Sequence, residues 1–281
     1  MSGSAAPRRI WLCADDYGIS PSVSAAIRTL IAKRRLNATS AMVVAPSFDR
    51  AEAAALDAVK ADAAIGLHLT LTAPFRPLTP GFRPLSAGAF LPLGAMLARG
   101  SLRLLSPASL AAEIEAQLVA FANAFGRMPD YVDGHQHVHL FPQVRDALLA
   151  AMPRLAPGAW VRQCGRSSAS LAKRWGDKKG LLLDVLSRRF RALAGESGVA
   201  CNPAFAGTYD FAVASKPDFS RTFPAFLEGL PAGGVVMCHP GIVDAELVRL
   251  DPLTEQRERE YSFFDSEGFP ALLAAHGVTL G

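Results

Sequence analysis

A chain of 281 residues, half of them hydrophobic and 19% charged, carries enough apolar material for one large core and is neither a disordered segment nor a small disulfide scaffold. The formal net charge of +4 is modest, no base-reading motif is present, and aromatic residues are not interleaved with the basic ones, so nothing points to nucleic acid. No apolar run approaches a membrane span, and the apolar stretch before the first aspartates is too short for a signal-peptide core. Four scattered cysteines (Cys13, Cys164, Cys201, Cys238) form no CxxC pair and read as reduced thiols, which with the preceding point predicts a cytoplasmic protein.

Residues 1–8 are expected to be a flexible start. Apolar, β-branched-rich runs predict strands at 9–14, 40–45, 64–71, 130–134, 159–163, 234–238 and 277–280, with helices between them. Ser20 is a good N-cap with Pro21 at the first helical position, and Val23, Ile27, Leu30 and Ile31 share one face. Ser106 and Pro107 open a second helix whose apolar positions run through Leu110, Ile114, Leu118, Phe121 and Phe125 to Gly126. The Pro- and Gly-rich stretch 73–101 has no clear period and is expected to be a long loop forming a wall or lid of the site. Alternation of strand and helix predicts an α/β fold with parallel strands and crossover helices, in a single domain spanning 1–281.

Polar residues at the carboxyl ends of parallel strands face the shared binding surface of such folds. Four predicted strand ends carry chemistry: "CADDYG", "GLHLT", "DGHQHVH" and "MCHPG". Five of the six histidines lie there, at 68, 135, 137, 139 and 239. Taken alone, His68 reads as a core histidine, "HQHVH" as a solvated loop and "DD" as a helix cap. Together they suggest more. Adjacent carboxylates resist joint ionisation in an apolar site unless a cation offsets their repulsion. Two neutral imidazoles and one carboxylate make a facial ligand set with positions left open. One aspartate would then bind metal and the other accept protons.

"ADDYGIS", "GLHLTL", "DGHQHVHLFP" and "VVMCHPG" taken together resemble the YdjC-like carbohydrate deacetylases, from about Ile10 to Asp244. The resemblance implies a distorted, incomplete (β/α) barrel of the polysaccharide-deacetylase type. It implies one divalent metal ion, magnesium or zinc, and removal of N-acetyl groups from an acetylated amino sugar. By position, Asp16, His68 and His135 match the metal ligands, Asp15 the catalytic base and His239 the acid. His137 and His139 remain alternative ligands, since in a strand 135, 137 and 139 would share one face. Asp133 is a supporting residue for a histidine tautomer. Arg162 would hold Asp15 ionised. The backbone of Tyr17 and Gly18 is expected to supply an oxyanion donor. A homodimer is expected.

Rival readings are a two-His, one-carboxylate iron oxygenase, a glycosidase pairing Asp15 with Asp133 or Asp244, and a non-catalytic sugar-binding barrel. Between Arg162 and Arg191 nine Lys or Arg stand against two Asp. This basic segment is either a solvated helical face or a contact for an anionic partner, including a membrane or a lipid-linked substrate. Within it Leu182, Val185, Leu186, Arg189 and Leu193 fall at helical spacings with Arg188 and Arg191 among them, the pattern of a basic amphipathic helix that can lie on an acidic membrane.

Overall fold

The computed structural model describes residues 6–61, 63–167, 178–209 and 219–281. Seven parallel strands form one curled sheet: β2 (Trp11–Tyr17), β3 (Ala38–Ala41), β4 (Ala64–Leu69), β5 (Tyr131–Gly134), β6 (Trp160–Val161), β7 (Phe205–Ala206) and β8 (Val235–Cys238). Their spatial order is β6-β5-β4-β3-β2-β8-β7. Just before β7 the chain bridges back to β6, pairing Cys201 with Val161, and the Phe205 N–H donates to the Gly165 carbonyl at 3.0 Å. The sheet thus curls round so that its two edge strands approach each other. All seven strands are buried at every position except half-buried Trp11 and Trp160, as parallel strands covered on both faces require.

The helices follow the sequence signals closely where caps are strong. In α1 (Pro21–Ala32) the Ser20 hydroxyl accepts from the Val23 N–H at 3.4 Å, and Val23, Ile27, Leu30 and Ile31 are buried. Short α2 (Arg50–Asp57) is capped by Asp49. After α3 (Leu93–Ser101), α4 (Pro107–Phe125) runs from the Ser106 cap to Gly126, whose φ of +69° is the left-handed ending a glycine permits at no steric cost. Then come a 3₁₀ turn (His135–Leu140), α5 (Val144–Leu155), α6 (Lys178–Glu196), α7 (Phe219–Leu227), α8 (Ala245–Leu250), α9 (Glu255–Asp265) and α10 (Phe269–Ala275). A separate parallel pair joins β1 (Arg8–Arg9) to β9 (Val278–Thr279). Arg8 donates to the carbonyls of Leu230, His276 and Leu227, so the described part of the first eight residues is anchored.

Two expectations need correction. The strand foreseen at 40–45 is Ala38–Ala41, because the β2 register carries pairing only that far before the chain turns. The stretch 73–101 is not all loop: its last third is α3. Its middle is pinned rather than mobile, since buried Glu113 of α4 accepts from the N–H groups of Leu78 and Thr79 at 3.0 and 2.9 Å. It is therefore a wall. In the basic segment, α6 packs through Leu183, Ser187, Phe190 and Ala194 and leaves Leu182 and Val185 exposed. Both stripes have helical spacing, so periodicity could not choose between them. Residues 168–177 of the basic segment lie outside the described residues.

Candidate active site

A regular strand sends successive side chains to opposite faces, yet Asp15 and Asp16 at the end of β2 are both buried and both line one cavity. The backbone explains this. The register with β3 shifts between Ala14 and Tyr17, and Asp16 adopts a φ of +67°, an irregularity that re-aims a side chain at the cost of local strain. The cavity, about 420 Å³, lies at the carboxyl ends of β2, β5 and β8 and is also lined by His135, His137 and His239 with Leu93, Met237 and Leu253.

Asp16 Oδ1 lies 3.2 Å from His68 Nε2 and 2.9 Å from His135 Nδ1. The other ring nitrogen of His68 is 2.6 Å from Asp133 Oδ1 and 3.0 Å from the Ser40 hydroxyl. A carboxylate behind a histidine in this way fixes its tautomer and leaves the forward nitrogen as a donor to metal. Asp15 is held apart from this set by Arg162, whose guanidinium donates to both carboxylate oxygens at 2.6 and 2.7 Å. Arg162 also lies 2.9 Å from Asp133 Oδ2, so one fully buried arginine ties the two aspartates together. Beneath them Cys13 Sγ contacts the Tyr131 hydroxyl at 3.0 Å. Tyr131 reaches there because position 66 is glycine: a Cβ on Gly66 would lie 2.5 Å from its ring.

The charges in this cluster do not balance without a further cation. Three buried carboxylates (Asp15, Asp16, Asp133) face two guanidiniums, Arg162 and Arg257. Burial opposes the charge on Asp16, but Arg257 and then His135 hold its carboxyl well below the usual range. Burial likewise opposes charge on His68, yet Asp133 and then Asp15 raise it to about 10, so without metal the site takes up a proton there. A metal cation at this point would supply positive charge in place of that proton. Ligand atoms of Asp16, His68 and His135 lie within 4.8 Å of one another, one oxygen and two nitrogens, a donor set that fits a transition-type divalent ion.

The three histidines of the "HQHVH" tract part company. They sit in a 3₁₀ turn rather than a strand, and Gln136 and His137 have φ of +53° and +60°. His135 turns to Asp16. His137 faces Phe205 edge-on and lies 3.5 Å from Cys164 Sγ. His139 bonds the Arg162 carbonyl through Nε2 at 2.7 Å, and burial, then the Arg162 charge, push it down to about 3. It is a neutral core residue holding the arginine's backbone. The turn is tight: a Cβ on Gly134 would meet His139 Nδ1 at 2.8 Å. Across the cavity, His239 is half-buried, and its backbone N–H donates to Glu260 Oε2 at 2.5 Å. Burial pushes its ring down to about 4.

Of the two backbone donors expected here, the Gly18 N–H is engaged within its own turn, donating to Ser24 Oγ at 3.0 Å. The Tyr17 hydroxyl turns away to the Glu52 carbonyl at 2.9 Å. Neither residue lines the cavity. Two residues the sequence did not single out do belong here. Arg257 donates from Nη2 to Asp16 Oδ2 at 2.6 Å and to Asp251 Oδ2 at 3.2 Å. Glu260 caps His239 and accepts from the Tyr209 hydroxyl, and burial raises its carboxyl to about 7. Both lie in "EQRERE", which reads as a solvated charged helix and carries no local signal of burial.

Residues 9–275 match the YdjC-like protein family. The chain belongs to that family. Among curated YdjC-like relatives, a chitooligosaccharide deacetylase of Citrobacter koseri is 26% identical over 273 residues, covering 95% of both chains. One of Yersinia pestis (strain Pestoides F) is 34% identical over 142 residues, covering 50% of this chain and 54% of its own. A crystal structure of an Enterococcus faecalis V583 protein assigned to cellobiose-phosphate cleavage superposes with a TM-score of 0.75 at 21% identity, covering 98% and 97% of the two chains, and shares the fold.

Proposed function

We propose that this YdjC-like chain is a metal-dependent carbohydrate deacetylase that hydrolyses the N-acetyl group of an acetylated amino sugar to acetate and a free amine. The observation that carries the reading is the convergence of Asp16, His68 and His135 on one point, with Asp15 held separately by Arg162 at the same cavity. The names of the curated relatives support the substrate class.

Asp16, His68 and His135 would hold one divalent metal ion, which when bound polarises the acetamide carbonyl and lowers the pKa of water. Two imidazole donors favour zinc over magnesium. The two hydrogen bonds from Arg162 hold the Asp15 carboxylate in one orientation at the cavity, as a general base requires. Asp15 takes a proton from the attacking water. His239 delivers a proton to the amine nitrogen as the C–N bond breaks, and after product release Asp15 loses its proton to solvent while His239 regains one. Both residues end as they began.

The geometry disfavours a glycosidase. Asp133 is fully buried between His68 and Arg162, and both Asp244 oxygens accept backbone N–H groups, from Leu247 and Ser22. Acetate release from di-N-acetylchitobiose, abolished by chelation and restored by zinc or magnesium, is the expected result. Activity unaffected by complete metal removal would refute it.

A further inference from the structure

The outer face of α6 is unexplained by packing or by the catalytic site. Leu182 is 47% and Val185 68% exposed, one to two turns from exposed Arg188, Arg189 and Arg191. None of these three arginines forms an ion pair among the described residues. Asp184, the acid within this run, is already engaged by Arg166 at 2.7 and 3.0 Å. A second cationic and apolar element lies nearby, at the corner between α3 and α4. There Leu102 (69% exposed) and Leu104 (59%) flank Arg103. The corner is tied to the start of α5, since the Gln143 side chain bonds both the N–H and the carbonyl of Leu105. Asp146 of α5 joins the corner to this side of the fold, lying 3.6 Å from both Arg103 Nη1 and Arg145 Nε, and Arg145 in turn feels the charge of Arg189. Among the described residues, four of the ten exposed large hydrophobic side chains therefore lie on these two elements, beside five arginines of which Arg103 and Arg145 share Asp146.

We propose that this face, the outer side of α6 with the α3–α4 corner, docks on an anionic lipid surface. The guanidiniums of Arg188, Arg189 and Arg191, which have no ion-pair partner among the described residues, repel one another and are stabilised by a surface of opposite charge. The aliphatic side chains are separate knobs between the cations rather than a groove. Such knobs suit insertion among lipid headgroups, where apolar burial adds to the electrostatic attraction. A protein partner would need a contiguous complementary patch. The proposal does not depend on the deacetylase reading, because none of these side chains lines the catalytic cavity.

Co-sedimentation of the full chain with vesicles of phosphatidylglycerol in phosphatidylcholine tests it. The protein should bind these vesicles at low salt, bind pure phosphatidylcholine much less, and be released at about 0.3 M salt, where the Debye length is only a few ångströms. Arg188→Gln, Arg189→Gln and Arg191→Gln together should lower partitioning about a hundredfold, at roughly tenfold or less per arginine. Leu102→Ser with Leu104→Ser and Val185→Ser should also weaken it, and metal content should be unchanged in both variants. Absence of binding at low salt, equal binding to neutral vesicles, or undiminished binding by the arginine variant would overturn the proposal. The wild-type lipid and salt dependence stands as a test even if a variant misfolds.

Discussion

Asp15→Asn separates base chemistry from metal binding. Asp15 accepts two hydrogen bonds from Arg162 at 2.6 and 2.7 Å and is not one of the residues converging on the metal position. An amide can accept only through its one oxygen, and its NH₂ would face a guanidinium N–H, so one of the two bonds becomes repulsive. Breaking a buried ion pair outright costs about 3–5 kcal/mol. Arg162 keeps its contact with Asp133 at 2.9 Å, so the loss should fall at or below about 3 kcal/mol, the lower end of that range. Turnover should drop about 10²–10⁴-fold, the contribution of a general base. The assays are thermal unfolding, metal content and acetate release from di-N-acetylchitobiose. The expected pattern is a folded, somewhat less stable protein with full metal and little turnover. Near-native turnover would refute the base assignment. Parallel loss of metal would show that Asp15 is a ligand.

Asp16→Asn, His68→Ala and His135→Ala should each lower bound metal by orders of magnitude, while His137→Ala retains it; metal analysis of the purified variants decides, and the reverse result at 135 and 137 would move the ligand along the tract. His239→Ala should slow amide hydrolysis far more than hydrolysis of an activated acetate ester, whose leaving group needs little protonation; equal losses would refute the acid role. His139 has a folded-state pKa of about 3, below the 6.5 of the unfolded chain, so the unfolded state binds the extra proton between these values. Its contribution is complete above about pH 6.5 and is lost as pH falls toward 3, up to ~5 kcal/mol. His139→Gln should therefore flatten the acid limb of the melting temperature, and an unchanged limb would show that other groups set it.

How much of this was legible in the sequence depended on whether the deciding interaction was local. Ser20 with Pro21, and Ser106 with Gly126, bring helix start and stop signals that act within a few residues, and α1 and α4 form where those signals lie. The adjacent aspartates after an apolar run, and histidines at other strand ends, already pointed to a cation site, because desolvating two carboxylates side by side demands one. Which histidine of the "HQHVH" tract turns inward was not legible. Left-handed backbone at Gln136 and His137 rotates the three rings apart, and the tight approach of His139 to Gly134 that accompanies it is a contact across the turn. Nor could helical period tell which stripe of α6 packs, since two stripes satisfy it and only the surface against which the helix lies selects Leu183 and Phe190. Arg257 is the clearest case. It sits in a run of charges that locally resembles a solvated helix, and it is fully buried because the fold brings Asp16, 241 residues away in sequence, within 2.6 Å of it. A charge is retained in the interior only when a partner of opposite sign arrives there, and that arrival is a property of the tertiary structure alone.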